Sequence, residues 1–492
     1  MLRVLFVASE AYPLIKTGGL GDVAGSLPRA LLDLHQDVRL IMPAYAVAAA
    51  QIGALTPIAQ FSEGADMVTL REGILPGSRL KVWLVDAPGY YDRPGNPYLD
   101  SNGQPWPDNA QRFALFCRIA SRVALNQASL NWVPEIVHCH DWQSALVPAL
   151  LEQATARPAT IFTIHNLAYQ GLFPAPTLQQ LGLPASLWSH HALEFHGQLS
   201  FIKGGLVFAD RINTVSPTYA REIQTVEFGS GLDGLLRHRH AVLSGILNGI
   251  DTDEWNPAAD PLLVQNYDSD HLDDKLINKL ALQKEFGLPP DPACPVLGLV
   301  SRLVPQKGID IILDAMPTLL KQPLQLILLG SGDKVMETQL QDWARRYPDK
   351  VAVRIGYNES LAHHIEAGAD IYLMPSRFEP CGLNQMYSQR YGTVPIVRNV
   401  GGLADTVVDT NSATLINGTA TGIVVTDDDS PALLDGIRRS LQLYRDKKSW
   451  RQIQRTGMQQ DFSWQHSARD YLKLYQHAQR VNTKPLPGIA GM

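Results

Sequence analysis

Val4-Leu5-Phe6-Val7-Ala8, running through Ser9-Glu10-Ala11-Tyr12-Pro13 into Lys16-Thr17-Gly18-Gly19-Leu20-Gly21-Asp22, is the stretch on which the fold is read. An unbroken apolar run marks a strand covered on both faces; a strand with one wet face would alternate. The glycines then open a helix whose Val23, Leu27, Ala30, Leu31 and Leu34 share one side. Strand, glycine turn and helix together form the opening unit of a doubly wound parallel sheet. Outward from it the pattern recurs. Strands are expected at Val38–Ile41, Lys81–Val85, Ile136–Cys139, Thr160–Ile164 and Ile212–Val215, with helices such as Asn109–Leu125 and Asp141–Leu151 between them. The polar stretch Gln265–Lys279 interrupts the alternation. It restarts with Val296–Val300, Leu324–Leu329, Val351–Ile355, Ile371–Met374 and Val394–Val397, spaced by helices such as Ile309–Leu320 and Met336–Tyr347. Two alternations predict two doubly wound α/β domains. A terminal helix is read near Ser467–Gln479, ahead of a loose Pro/Gly end at Pro485–Met492.

The 492 residues are 45% hydrophobic and 18% charged, with 42 Lys and Arg against 48 Asp and Glu and a formal net charge of −6. Such a length suits two or three domains, each able to bury its own core. The acidic balance offers no global field for nucleic acid or an anionic membrane, so an anionic substrate must meet local positive charge. Cys117, Cys139, Cys294 and Cys381 are scattered without a CxxC pair, which argues against a disulfide framework and fits a reducing cytosol. The first apolar run is too short for a signal peptide and no stretch reaches the ~20 apolar residues of a membrane span, so a soluble cytoplasmic protein is expected.

Open α/β sheets bind ligands beyond the carboxyl ends of their strands, and there the chain concentrates Gly, Lys, Arg, His and acid. Lys16 with Gly18 and Gly19 sets a mobile cation beside backbone N–H groups at a helix N-terminus, a combination suited to an anion. Gly19-x-Gly21-x-x-x-Gly25 also resembles a dinucleotide fingerprint. That oxidoreductase reading expects an acid after the second strand, where the chain has Met42-Pro43-Ala44-Tyr45. A packing turn would explain the glycines but not Lys16. Arg302 and Lys307 flank one loop in Val300-Ser301-Arg302-Leu303-Val304-Pro305-Gln306-Lys307-Gly308. A planar fork and a point charge suit a diphosphate, against the blander reading of a solvated loop. Gly330 ends the next strand in a similar glycine turn. Glu379, in Phe378-Glu379-Pro380-Cys381-Gly382-Leu383, follows another strand and precedes a helix at Asn384–Tyr391. A carboxylate there can hold sugar or ribose hydroxyls while neighbouring N–H groups hold phosphate; the alternative is a helix-capping acid. Cys381 has no catalytic partner in the sequence and reads as a small buried residue.

In this order the motifs resemble the bacterial glycogen synthase and starch synthase family over nearly the whole chain. Lys16-Thr17-Gly18-Gly19-Leu20 is joined by His140-Asp141-Trp142, Thr163-Ile164-His165-Asn166, Leu247-Asn248-Gly249-Ile250-Asp251, Ser301-Arg302 with Gln306-Lys307-Gly308, and Ile355-Gly356-Tyr357. Arg377-Phe378-Glu379-Pro380-Cys381-Gly382-Leu383 and Gly401-Gly402-Leu403-Ala404-Asp405-Thr406 complete the set. The resemblance implies a GT-B fold, two Rossmann-like domains facing across a deep cleft. Residues 1–245 would form the acceptor side (a starch synthase catalytic domain) and 246–460 the nucleotide-sugar side (a group 1-like glycosyltransferase domain), with a helix at 461–480 crossing back. The implied activity is transfer of glucose from ADP-glucose to the non-reducing end of an α-1,4-glucan, with retention of configuration.

Carried over residue by residue, Lys16, Gly18 and Gly19 face the distal phosphate and sugar, Arg302 and Lys307 grip the diphosphate, and Tyr357 stacks on adenine. His165 lies against the transferred glucose and Glu379 holds its hydroxyls. Asp141 and Trp142 lie towards the glucose and acceptor, with Tyr98 also on the acceptor side. Asn248, Gly330, Cys381, Gly382 and Leu383 complete the ADP-glucose contacts. A wider group of related glycosyltransferases carries a second Glu eight positions after the first; here that position is Tyr387, so a second ribose-binding carboxylate is not implied.

No metal or other cofactor is expected. His138-Cys139-His140-Asp141 has the look of a metal cluster, but alternation at a strand end lets at most one side face a common ion. Asp251-Thr252-Asp253 and Asp268-Ser269-Asp270 match the acidic triplet of metal-dependent glycosyltransferases, yet read better as solvated loops. The expected partners are ADP-glucose and glycogen or another α-1,4-glucan, not nucleic acid or membrane. Two rivals stand beside this reading. An α-glucan phosphorylase shares the fold but needs a pyridoxal phosphate lysine. A non-catalytic glucan-binding protein would be expected to lose the charged set of Lys16, His165, Arg302, Lys307 and Glu379.

Overall fold

A computed structural model describes residues 1–64, 66–482 and 484; the loose end expected at Pro485–Met492 lies outside these described residues. The chain divides into two compact units, one formed by Met1–Gly249 with the chain from Trp464 onward, the other by Ile250–Ser463. Among the described residues no helix is long and apolar enough to cross a membrane.

The first unit is built on a nine-stranded sheet. Its strands are β1 (Arg3–Val7), β2 (Asp37–Pro43), β3 (Thr56–Glu63), β4 (Asp66–Ile74), β5 (Lys81–Asp86), β6 (Ile136–His140) and β7 (Ala159–Ile164). A small separate sheet holds β8 (Leu172–Pro174), β9 (Glu194–Phe195) and β10 (Gln198–Ser200), and the main sheet ends with β11 (Arg211–Thr214) and β12 (Leu243–Gly245). The main sheet runs β12-β11-β7-β6-β1-β2-β5-β4-β3, parallel except for the β3–β4 edge. The buried apolar runs became its parallel strands, as expected. The edge hairpin was not foreseen because it is half wet: its residues are polar and mixed, and a register shift between Pro57 and Ala59 breaks the alternation.

Chain order reverses on either side of β1, which pairs with both β2 and β6. The carboxyl ends of β1 and β6 are therefore the point where a doubly wound sheet opens a ligand crevice. The helix expected at Asp141–Leu151 is two, Asp141–Ser144 and Leu146–Glu152. Pro148 explains the break, since it lacks the N–H that would bond the Ser144 carbonyl and its ring crowds that carbonyl. The last helix, Trp464–Val481, packs into this unit. Its buried Tyr475 hydroxyl lies 2.9 Å from His138 Nδ1, its Tyr471 hydroxyl accepts from Asn213 at 3.1 Å, and its Ser467 hydroxyl donates to the Leu247 carbonyl at 2.7 Å.

The second unit has a six-stranded parallel sheet. It comprises β13 (Val296–Val300), β14 (Gln325–Gly330), β15 (Val351–Ile355), β16 (Ile371–Met374), β17 (Val394–Arg398) and β18 (Ile423–Val425), in the order β15-β14-β13-β16-β17-β18. Here the reversal falls between β13 and β16. The polar stretch Gln265–Lys279 runs into a helix, Lys275–Glu285. Its lysines hide it from a hydropathy reading because they are buried and satisfied. The Lys275 ammonium donates to the carbonyls of Glu366, Ala367 and Tyr391 at 3.2, 2.7 and 3.0 Å, and Lys279 pairs with Asp370 at 2.8 Å.

Candidate active site

In the first unit the switch point begins at Glu10. It is buried just past β1 and accepts hydrogen bonds from the Thr17 amide, the Thr17 hydroxyl (3.0 Å) and the Tyr98 hydroxyl (2.9 Å). Burial pushes its carboxyl above the ordinary value. Tyr98 also shares a hydrogen bond with Ser9 at 2.8 Å. The turn carrying Lys16, Gly18 and Gly19 is thus tied to the strand end by a residue to which the sequence reading gave no role; an acid directly after an apolar strand was its one signal. The Lys16 ammonium lies 2.7 Å from the Asp22 carboxylate, over the first turn of the helix Gly19–Asp33.

The glycines sort into two kinds. A Cβ on Gly25 would overlap the Tyr12 carbonyl, whereas on Gly18 or Gly19 it would meet no described atom within 4 Å. Gly25 is a packing glycine. Gly18 and Gly19 are not, and a bare backbone at a helix start is what an approaching anion needs.

At the ends of β6 and β7, Asp141 sits at a φ of 55° and its carboxylate accepts the His165 amide at 2.7 Å. Burial pushes Asp141 up to about 7 and His165 down to about 3. His165 Nε2 lies 3.0 Å from His140 Nδ1. Trp142 stands edge-on to Phe113, ring centroids 5.0 Å apart, and lines a groove of about 550 Å³ with Tyr169, Gln170 and Phe173. Asn248 follows β12, buried, and its side-chain oxygen has no hydrogen-bond partner among the described residues.

Asp141 gives a stability prediction. Its carboxyl titrates at 3.8 ordinarily and at about 7 when folded, so between those values the native state keeps a proton that the unfolded chain has released. Stability falls as pH rises through that window, by at most about 4 kcal/mol at about 1.4 kcal/mol per unit. Asp141→Asn removes the effect, so its melting temperature relative to the parent is expected to rise steadily from pH 4 to pH 8. A difference that stays flat or shrinks over that range would count against the burial argument.

In the second unit Arg302 follows β13, exposed, its guanidinium 3.3 Å from Gln306 Oε1. Pro305–Lys307 form a tight turn that closes on Gly308, at a φ of 71°, and opens the helix Ile309–Leu319. The Lys307 ammonium lies 2.5 Å from Glu379 Oε2, an oxygen that also accepts from the Ser376 hydroxyl at 3.1 Å. Glu379 is only 6% exposed. Gln306 joins the loops after β13 and β16, its side chain donating to the Phe378 carbonyl at 3.1 Å and its own carbonyl accepting the Arg377 amide at 2.9 Å. Arg377 in turn makes a two-pronged bond to Asp310 at 2.7 and 2.8 Å. The Lys307–Glu379 pair is therefore rigidly held at the sheet's switch point.

The other expected residues of this unit also follow strand ends. Gly330 closes β14 where a Cβ would overlap the Ser301 carbonyl, so close packing alone accounts for that glycine. Tyr357, beyond β15, is 69% exposed. Cys381 is buried, Gly382 takes a φ of 71°, and Leu383 precedes the helix Asn384–Arg390. Tyr387 stacks at 3.8 Å on Trp255, which stacks on His363 at 3.8 Å. The place of a second acid is thus filled by an aromatic stack.

The metal-like motifs have other occupations. His138 places one ring nitrogen 2.9 Å from Tyr475 and the other 2.7 Å from Thr163. Asp251 accepts the amides of Asp253 and Glu254, and Asp268 those of Asp270 and His271, as turn-capping carboxylates do. Among the described residues no group of three or more His, Cys, Asp or Glu is placed to hold a metal ion.

Residues 3–238 match the starch synthase catalytic domain and residues 282–457 match glycosyl transferases group 1. A glycogen synthase 1 of Methylococcus capsulatus is 56% identical over 97% of this chain and 97% of its own length. The glycogen synthase of Thioalkalivibrio sulfidiphilus is 54% identical over 96% of this chain and 99% of its own. Among solved structures, the catalytic domain of starch synthase IV from Arabidopsis thaliana, bound to ADP and acarbose, superposes with a TM-score of 0.87 at 33% identity, covering 97% of this chain and 99% of that one. With a largely parallel sheet in each unit and 54–56% identity to two glycogen synthases over 96–97% of its length, the chain belongs to the glycogen synthase and starch synthase family of GT-B glycosyltransferases.

Proposed function

We propose that the chain transfers glucose from ADP-glucose to the non-reducing end of an α-1,4-glucan with retention, releasing ADP, as a step of cytoplasmic glycogen synthesis. The Lys307–Glu379 pair at the switch point of the second sheet, its carboxylate buried and Arg302 on the same loop as Lys307, carries the reading. It joins the cations that a diphosphate requires to a carboxylate that sugar hydroxyls require. Support for ADP and a glucan comes from the Arabidopsis structure, which holds ADP and acarbose.

The reaction breaks the bond between glucose C1 and a β-phosphate oxygen and forms one from C1 to the acceptor hydroxyl. Negative charge gathers on the leaving diphosphate, positive charge on an oxocarbenium-like sugar. In the second unit Arg302 and Lys307 answer the first; in the first unit Lys16, with the bare backbone at Gly18 and Gly19, is a second place suited to an anion. Fixed donors of this kind are usually the largest catalytic term because they need no reorganisation as the bond breaks. The acceptor proton passes to a phosphate oxygen on the face that the diphosphate leaves. His165, held neutral by burial, serves as a hydrogen-bonding group against the sugar. Tyr357 offers its exposed ring to the base, and Trp142 and Tyr98 serve the acceptor side.

Gly19→Ala separates a ligand role from a packing role. Its melting temperature is expected to match the parent's, because the new methyl meets no described atom within 4 Å, while turnover falls by up to ~10²-fold through displacement of the diphosphate. Full activity in this variant would remove the glycine turn from the site. The function itself is tested by initial rates with ADP-glucose and UDP-glucose on a glycogen primer. Primer-dependent release of ADP, well above release of UDP, is expected; equal or reversed rates would refute the donor assignment.

A further inference from the structure

His140 ends β6 and His165 follows β7, and the two strands are paired so that His140 lies opposite Thr163. His140 is fully buried, its ring stacked on Phe6 at 4.0 Å and 28°. Its Nδ1 lies 3.0 Å from Nε2 of His165, while its own Nε2 has no hydrogen-bond partner among the described residues. Burial keeps both rings neutral, His140 well below its ordinary value and His165 at about 3. Two neutral imidazoles carry one N–H each, and a nitrogen-to-nitrogen bond uses one of them as donor.

If His165 donated, the proton of His140 would sit on Nε2 as a buried N–H without an acceptor. Orphaned buried N–H groups are rare, because the donor loses its water and gains nothing. If His140 donates from Nδ1, its Nε2 is a bare lone pair and the proton of His165 is forced onto Nδ1. We propose that His140 is a positioning residue that fixes the ring and the tautomer of His165, so that the Nδ1–H of His165 is offered as a donor to a hydroxyl of the transferred sugar. Asp141 holds the same residue by its backbone, accepting its amide at 2.7 Å. His165 is thereby held at both backbone and ring, and a donor fixed in this way needs no reorientation when the sugar arrives. The inference rests on the reading that His165 faces the glucose.

The test has a spectroscopic arm and a kinetic arm. In the full-length protein labelled with ¹⁵N-histidine, long-range ¹⁵N–¹H correlations, assigned with His165→Gln, should show His165 protonated at Nδ1 and bare at Nε2. A His165 protonated at Nε2 overturns the proposal whatever the activity. In the kinetic arm, His140→Phe keeps the stack on Phe6 and removes the donor, and His140→Asn returns an amide N–H near the Nδ1 position. His140→Phe should lower kcat roughly 10–100-fold with the KM for ADP-glucose little changed, and His140→Asn should recover most of the loss. A folded His140→Phe with parental kcat, or an asparagine variant no better than phenylalanine, overturns the role. If His140→Phe does not fold, the spectrum of the parent protein decides. A parent without transferase activity would instead refute the proposed function, and the tautomer would still be read.

Discussion

Lys307→Ala is expected to lower turnover by about 10²–10³, the usual loss when one charged donor to a transition state is removed. The same variant should bind ADP more weakly, since the free product carries the charge that the leaving group develops. Part of the damage will be structural. Lys307, itself partly exposed, lies 2.5 Å from the Glu379 carboxylate, which is almost wholly buried, and removing it leaves that carboxylate with an uncompensated charge. Lys307→Ala combined with Glu379→Gln removes the stranded charge, so it should regain melting temperature without regaining rate. Arg302→Ala, at an exposed residue whose guanidinium is hydrogen-bonded to Gln306 in its own loop, should lose rate with little loss of stability. Parental kcat/KM and ADP affinity in a folded Lys307→Ala protein would remove this lysine from the diphosphate site.

Glu379→Gln is expected to cost about 10² in kcat through lost positioning, and no glucosyl-enzyme should form on Glu379 in the parent. Retention by double displacement needs a carboxylate free to attack C1 from the face opposite the leaving group. One oxygen of Glu379 is engaged by both Lys307 and Ser376. Its backbone carbonyl accepts the Gly402 amide at 3.1 Å, and a Cβ on Gly401, at a φ of 45°, would overlap that carbonyl. A carboxylate fixed in this way, on the loop after β16 and tied to the Lys307 ammonium of the loop after β13, suits sugar hydroxyls and makes a poor nucleophile. Azide added to Glu379→Ala should therefore yield no β-glucosyl azide. Mass-spectrometric trapping of glucose on Glu379 would overturn the mechanism and leave the transferase reading standing.

Strand ends were legible in the sequence and side-chain partnerships were not. Continuous apolar runs such as Val4–Ala8 and Val296–Val300 mark parallel strands, so the positions beyond them could be named as site candidates. The β3–β4 hairpin escaped because an edge with one wet face has no such run. Lys275 and Lys279 made a helix read as a polar break, because burial satisfied by carbonyls and by Asp370 leaves no trace in hydropathy. Lys307 and Glu379 are 72 residues apart, and His140 and His165 are 25 apart. Each pair meets because particular strands are neighbours in a sheet, and sheet order is not written in local pattern. Glu10 was passed over for the same reason: its importance lies in Tyr98, brought to it from 88 residues away. Tyr387 was visible as a departure from a related pattern, but the stack on Trp255 that explains it appeared only in three dimensions.

The most direct measurement uses ADP-glucose labelled with ¹³C at C1 and maltopentaose as acceptor, followed by NMR and by assay of released ADP. An α-1,4-linked anomeric signal is expected in a product one glucose longer, with ADP released in equal amount. A β-linked product, free glucose in place of elongation, or no ADP release would overturn retaining transfer from ADP-glucose to a glucan.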